Sequence, residues 1–146
     1  MSARNDILDG LVTVLKNIKT TSGYNTTPGH VVRGFMPFER VGKFPALMVF
    51  GGNEALEPLM DGKYTRSAFT IKIRGLSMDK KNPDDALCNI IADVLKVLES
   101  SSNPYQNEMI VHTIDTDEGW YQLEKEGTGF FEVGLDIFYI FDRSAP

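Results

Sequence analysis

Cysteine occurs once in the 146 residues, at Cys88, so no internal disulfide can form and nothing calls for an oxidising compartment. Histidine occurs twice, at His30 and His112, far apart and without the HxxxH or HxxE spacing of a zinc site. Neither GxGxxG nor GxxxxGK[ST] is present, which removes the common nucleotide-binding loops. The opening MSARNDILDGL holds too short an apolar run for a secretory signal, and no uninterrupted span reaches membrane length. The expectation is a soluble chain of cytoplasmic type with no membrane contact. Cations are also in the minority. Against 20 Asp and Glu stand 15 Lys and Arg, a formal net charge of −5, which speaks against a nucleic-acid grip built on clustered bases.

What is present is globular. Hydrophobic residues make up 42% and charged residues 24%, enough to fill a core at a length typical of one domain, and residues 1–146 are read as one. Two segments carry helical period. In ARNDILDGLVTVLKNIKT, the residues Ile7, Leu8, Leu11, Val14, Leu15 and Ile18 recur at spacings of three and four. In the second, Asn82, Pro83, Asp84 and Asp85 supply a helix start, and Ala86, Leu87, Ile90, Ile91, Val94, Leu95, Val97 and Leu98 cover more than half the circumference. So wide a face is buried on more than one side. ESSSNPYQN is expected to close this helix as a loop.

Period two marks the strands. Phe69, Ile71 and Ile73 share one face with Arg66, Lys72 and Arg74 on the other; Phe131, Val133, Leu135, Ile137, Tyr139 and Phe141 share a face opposite Glu132 and Asp136. HVVRGF and FPALMVFG supply an early pair. EMIVHTIDT and GWYQLEKE are two further candidates, joined through DTDEG as a hairpin turn. The resulting fold class is α+β: a two-layer domain, with one mostly antiparallel or mixed sheet and two helices packed on one face. The basic and acidic strand faces both point away from the helices, where they can pair across the sheet or be covered by another copy.

No group assembles a convincing catalytic site. Cys88 lies at the edge of the second helix's apolar face and reads as an inert core cysteine. His112 alternates with Ile110 and Ile114 and reads as a partly buried strand residue. Asp115, Asp117 and Glu118 are the best enzyme candidates, since clustered carboxylates can hold a divalent ion or exchange a proton, but their spacing is that of a solvated turn. Trp120 and Tyr121 beside them suit a protein contact better than catalysis. No cofactor is implied.

The stretch FPALMVFGGNEALEPLMDG is the most unusual. Phe44 to Phe50 is apolar enough for a central strand, and Gly51 and Gly52 would let the chain leave the sheet sharply. Asn53 to Lys63 is then too long for a tight hairpin and carries Leu56, Leu59 and Met60 where a loop is usually polar. Pro58 opposes central pairing, and Asp61–Gly62 turns the chain back. The segment reads as an arm that packs on a neighbour, with a lid over the chain's own core as the alternative. Leu56, Glu57, Leu59, Met60, Arg66, Arg74, Trp120 and Tyr121 are therefore the candidate interface residues.

In its order of elements, with FPALMVFGGNE, FTIKIRG, NPDDALCNIIADVLKVL and a closing FFEVGLDIFYIF, nearly the whole chain resembles the tail terminator (tail completion) proteins of long-tailed bacteriophages. The resemblance implies a structural role without catalysis: a six-membered ring of the chain that caps the tail tube, stops its elongation and docks to head–neck connector proteins. It would be assembled in the host cytoplasm and carried at the head-proximal end of the virion tail. DNA would pass through an acidic lumen without specific binding. The alternatives are another neck or tail-tube component, or a small enzyme using Asp115, Asp117 and Glu118.

Overall fold

Ser2 precedes the first helical residue, and its hydroxyl accepts the Asn5 N–H at 3.2 Å, which caps the start of α1 (Ala3–Leu15). The structure is a computed structural model and describes residues 2–100, 111–123 and 127–146. Along α1 the expected stripe is buried: Ile7, Leu8, Leu11, Val14 and Leu15. Ile18 belongs to the same stripe but lies past the helix end, where its N–H bonds to the Leu15 carbonyl at 3.1 Å and its side chain is still buried.

The second helix, α2 (Pro83–Ser100), begins after a turn organised by Asp79, whose carboxylate accepts the N–H groups of Lys81 and Asn82 at 2.9 and 3.0 Å. Leu87, Ile90, Val94, Val97 and Leu98 are buried along it. Cys88 corrects the sequence reading: it is exposed, one position beyond the buried Leu87, and is no core residue. Residues 101–110, which include most of the expected closing loop, lie outside the described residues.

Five strands form one sheet: β1 (His30–Arg33), β2 (Ala46–Pro58), β3 (Tyr64–Met78), β4 (Val111–Leu123) and β5 (Thr128–Asp142), in the order β1-β2-β3-β5-β4. Among the described residues, only the β1–β2 pairing is parallel. Leu47 and Val49 of β2, Phe69, Ile71 and Ile73 of β3, and Phe131, Val133, Leu135, Ile137 and Tyr139 of β5 meet the buried stripes of both helices in one core. The protein is thus the expected two-layer α+β fold with both helices on one face. Burying this many large side chains is the main source of its stability, roughly 1.5–3 kcal/mol for each in transfer terms.

Part of the opposite face is covered too. The chain between β1 and β2, residues 34–45, crosses it as a strap and buries a smaller cluster of Val41, Ala46, Met48, Leu76 and Phe130. The Met36 N–H reaches the Met48 sulfur at 3.3 Å beneath it.

One strand prediction is overturned. Val111 to Leu123 forms a single strand along β5, so DTDEG is not a hairpin turn. The ladder runs from Val111↔Phe138 to Asp115↔Gly134 and resumes at Trp120↔Glu132. Three extra residues on β4 are absorbed in that irregularity, and the polar run that looked like a turn occupies it.

Candidate functional site

A third correction concerns Gly51 and Gly52. The chain does not leave the sheet there; β2 continues to Pro58, opposite β3, in one long hairpin. Gly51 pairs with Ile71 and Glu54 with Phe69, so β2 carries one extra residue between them, a β-bulge. The bulge reverses the alternation. Before it the odd residues Leu47, Val49 and Gly51 face the helices; after it the even residues Glu54, Leu56 and Pro58 stand beside Phe69, Ser67 and Thr65.

That switch brings the carboxylate of Glu54 to the helix side. The hydroxyls of Ser67 and Tyr139 both donate to its Oε1 at 2.5 Å, and Arg4 donates from Nε to its Oε2 at 2.6 Å. Ser67 and Tyr139 are buried, and the Arg4 guanidinium also lies 5.5 Å from the centre of the Phe141 ring. One carboxylate therefore ties α1 to β2, β3 and β5. Burial opposes its charge, but the hydrogen bonds from Arg4, Ser67 and Tyr139 outweigh this and hold its pKa below the usual value. Burial and the neighbouring carboxylate push the Tyr139 phenol up to about 12. The network anchors the hairpin at its root.

Beyond it the hairpin is solvated. Leu56 is 55% exposed and Met60 fully so, which places neither over the chain's own core; Leu59 is half-buried. Asp61 and Gly62 turn the chain as expected: the Asp61 carboxylate accepts the N–H groups of Lys63 and Tyr64 at 3.0 and 3.1 Å, and Gly62 has φ of +73°. Arg66 lies across from Glu57 in a loose surface ion pair at 3.8 Å. The Lys63 ammonium stands 3.6 Å from Asp142 at the end of β5, which steadies the tip.

The hairpin thus gathers Leu56, Glu57, Leu59, Met60 and Arg66. Arg74 is elsewhere: its guanidinium lies over the rings of Phe35 and Phe130 at 5.7 and 4.8 Å, beside the strap. The ladder also sets it opposite Glu132, so the basic and acidic strand faces do adjoin. Trp120 and Tyr121 belong to β4, two strands away from β3, and pair with Glu132 and Phe131. Asp115, Asp117 and Glu118 lie in or beside the irregular stretch of that strand; the side chains of all five are outside the described set. Among the described residues, no three His, Cys, Asp or Glu come together in a way that could hold a metal ion.

Sequence reasoning missed Asp93. It is buried on α2 and accepts the N–H groups of Asn25 and Thr26 at 2.9 and 2.8 Å and the Thr26 hydroxyl at 2.5 Å. Its neighbour one turn on, Lys96, donates to the Gly23 carbonyl at 3.0 Å, so α2 holds the α1–β1 connection. The signal was there: an acid amid Ile90, Ile91, Val94 and Val97.

The family model described as Bacteriophage Tail Tube Terminator Protein matches residues 1–107, from α1 past the end of α2. The chain belongs to the bacteriophage tail tube terminator family. No curated protein matches it. The matched region contains the hairpin, the strap and both helices. The family is one of structural tail proteins, so this terminator chain's place is the virion tail and its work concerns the tail tube. No described helix is long and apolar enough to cross a membrane.

Proposed function

We propose that residues 1–146 act as one terminator domain that assembles into a ring, six-membered by resemblance, on the end of the tail tube. There the ring stops elongation and offers a docking surface to head–neck connectors. It needs no catalysis and no cofactor, and its lumen passes DNA without gripping it. It is assembled in the host cytoplasm and sits at the head-proximal end of the tail.

The observation that carries this reading is the hairpin: Leu56 and Met60 stand in solvent on an extension whose root is fixed by the partly buried Arg4–Glu54–Tyr139 network. Exposed apolar side chains on a well-held scaffold cost little entropy to dock, which is how an interface gains affinity. Glu57, Leu59 and Arg66 would flank that contact, and Arg74, Trp120 and Tyr121 would belong to a second surface away from the tip.

The test pairs Leu56→Asp with Met60→Asp. Because both side chains are already wet, the melting temperature is expected to stay within about 3 °C of the parent. Assembly by light scattering, with and without purified tail tubes, is expected to be lost, and tails grown with the variant are expected to overrun their normal length. A parent protein that stays monomeric even on tail tubes would sink the ring.

A further inference from the structure

The two halves of β2 are held very differently. Ala46 to Val49 are buried, with β1 on one side and β3 on the other. Beyond Phe50 no residue of the strand is buried: Gly51, Gly52, Asn53 and Ala55 to Pro58 are exposed, and Glu54 is half-buried. Among the described residues, β3 alone pairs with this outer half, and the bulge separates it from the inner ladder. The Leu59 N–H bonds the Tyr64 carbonyl at 3.0 Å. By the alternation of an antiparallel ladder, Glu57 and Ala55 are then the residues that bond across to Arg66 and Ala68.

Side-chain ties are as few. Glu57 meets Arg66 loosely within the hairpin itself, and Asp61 closes the turn on its own backbone. Among the described residues, the Glu54 carboxylate is the one side chain of residues 51–62 that bonds to α1 and β5, through Arg4 and Tyr139. A segment with no buried apolar anchor and a single such tie opens at a lower free energy than the core beside it.

We propose that residues 53–60 open from β3 as one flap, hinged at Gly51 and Gly52 and latched by the Arg4–Glu54 ion pair. Two adjacent glycines let the backbone swing where side chains would resist. Arg4 is the reachable half of the latch, its side chain 34% exposed against 15% for Glu54. Only the latched flap fixes Leu56 and Met60. A partner that holds the tip therefore also holds Arg4 on Glu54, and a group that draws Arg4 away loosens the tip. The first turn of α1 thus controls the hairpin. The device belongs to the single chain and does not depend on the ring.

The experiment is amide hydrogen exchange on the full chain, read residue by residue by NMR across a series of low urea concentrations. The N–H groups of Ala55, Glu57, Arg66 and Ala68 are expected to share one opening with a small urea slope. They should exchange well before those of Ile73, Ile90 and Val94. Arg4→Ala and Glu54→Gln are expected to speed the flap set roughly tenfold, and Arg4→Lys by less. Asp93→Ala, in a separate network, supplies the converse: the core amides should speed up while the flap set keeps its rate. If the four flap amides follow the core amides through the urea series and in Asp93→Ala, the segment opens only when the domain unfolds, and the proposal fails. It fails equally if the flap opens alone but ignores Arg4→Ala and Glu54→Gln, since the latch is then elsewhere.

Discussion

The hydroxyl of Tyr139 and the carboxylate of Glu54 are 85 residues apart in sequence and 2.5 Å apart in space, joined where β5, β3 and the outer part of β2 run side by side. With Ser67 and Arg4 on the same carboxylate, the group is satisfied although it is mostly out of water. Such a network is stabilising only while complete. Glu54→Ala is expected to destabilise the protein by about 2–4 kcal/mol, because it leaves two buried hydroxyls without their acceptor. Tyr139→Phe is expected to cost about 1–2 kcal/mol. Urea unfolding of the two single variants and the double variant checks this, and the double should fall short of the sum.

The same group sets the response to pH. The Tyr139 phenol is raised from its ordinary 10.0 to about 12 in the fold, so the unfolded chain loses that proton first. Its contribution is therefore complete below pH 10 and is lost as pH rises towards 12, on the order of 2–3 kcal/mol. Glu54 behaves in the opposite sense: its pKa is lowered, so its contribution is complete above the ordinary 4.5 and is lost as pH falls below it. Unfolding free energies between pH 3 and 12 are expected to fall at both ends. Tyr139→Phe should flatten the alkaline limb and Glu54→Gln the acid one.

Gly75 faces the ring of Phe131 across the β3–β5 ladder, and a Cβ built there would lie 2.0 Å from Phe131 Cε1. Phe131 is fully buried, so the ring cannot swing into solvent. Gly75→Ala is expected to destabilise by about 1–3 kcal/mol through overpacking. Combining it with Phe131→Leu should cost less than the two changes separately, as read by thermal unfolding.

Asp93→Ala removes the acceptor of two backbone N–H groups and one hydroxyl. A loss of about 2–4 kcal/mol is expected. Amide exchange should speed up at Asn25 and Thr26 in particular, whereas the Glu54 network at the far end of the sheet should keep its protection.

Much of this architecture was legible because its signals are local. Leu8, Leu11 and Leu15 repeat with the pitch of a helix, Ile71 and Ile73 with that of a strand, and Asp61–Gly62 has turn chemistry of its own. The position of Glu54 was not legible. One unpaired residue near Gly52 decides which side of the sheet it occupies, and no period in the sequence marks that insertion. DTDEG misled for a related reason, since a polar run serves an irregular strand as well as a turn. Cys88 failed by one step, because a wide apolar stripe does not announce where its border falls. Asp93 was visible but lacked an identifiable partner, since the Asn25 and Thr26 amides that it holds belong to a distant turn. Of the candidate interface, Leu56, Glu57, Leu59, Met60 and Arg66 came from one contiguous hairpin and are found together; Arg74, Trp120 and Tyr121 depended on strand order, which composition does not encode.

Strand β2 has a partner on its outer side only from Ala46 to Val49, where β1 runs beside it; among the described residues, the margin from Phe50 to Pro58 is open. An open margin of that length is a template on which stray chains can stack. A chain whose family brings a growing tube to a halt would defeat itself by seeding fibrils of its own. The bulge after Gly51 breaks the spacing of that template, Pro58 withholds an N–H at its end, and Glu57 adds a charge between them. The irregularities that make this hairpin hard to read in sequence also keep it from recruiting the wrong strand, so that a protein able to end one polymer does not begin another.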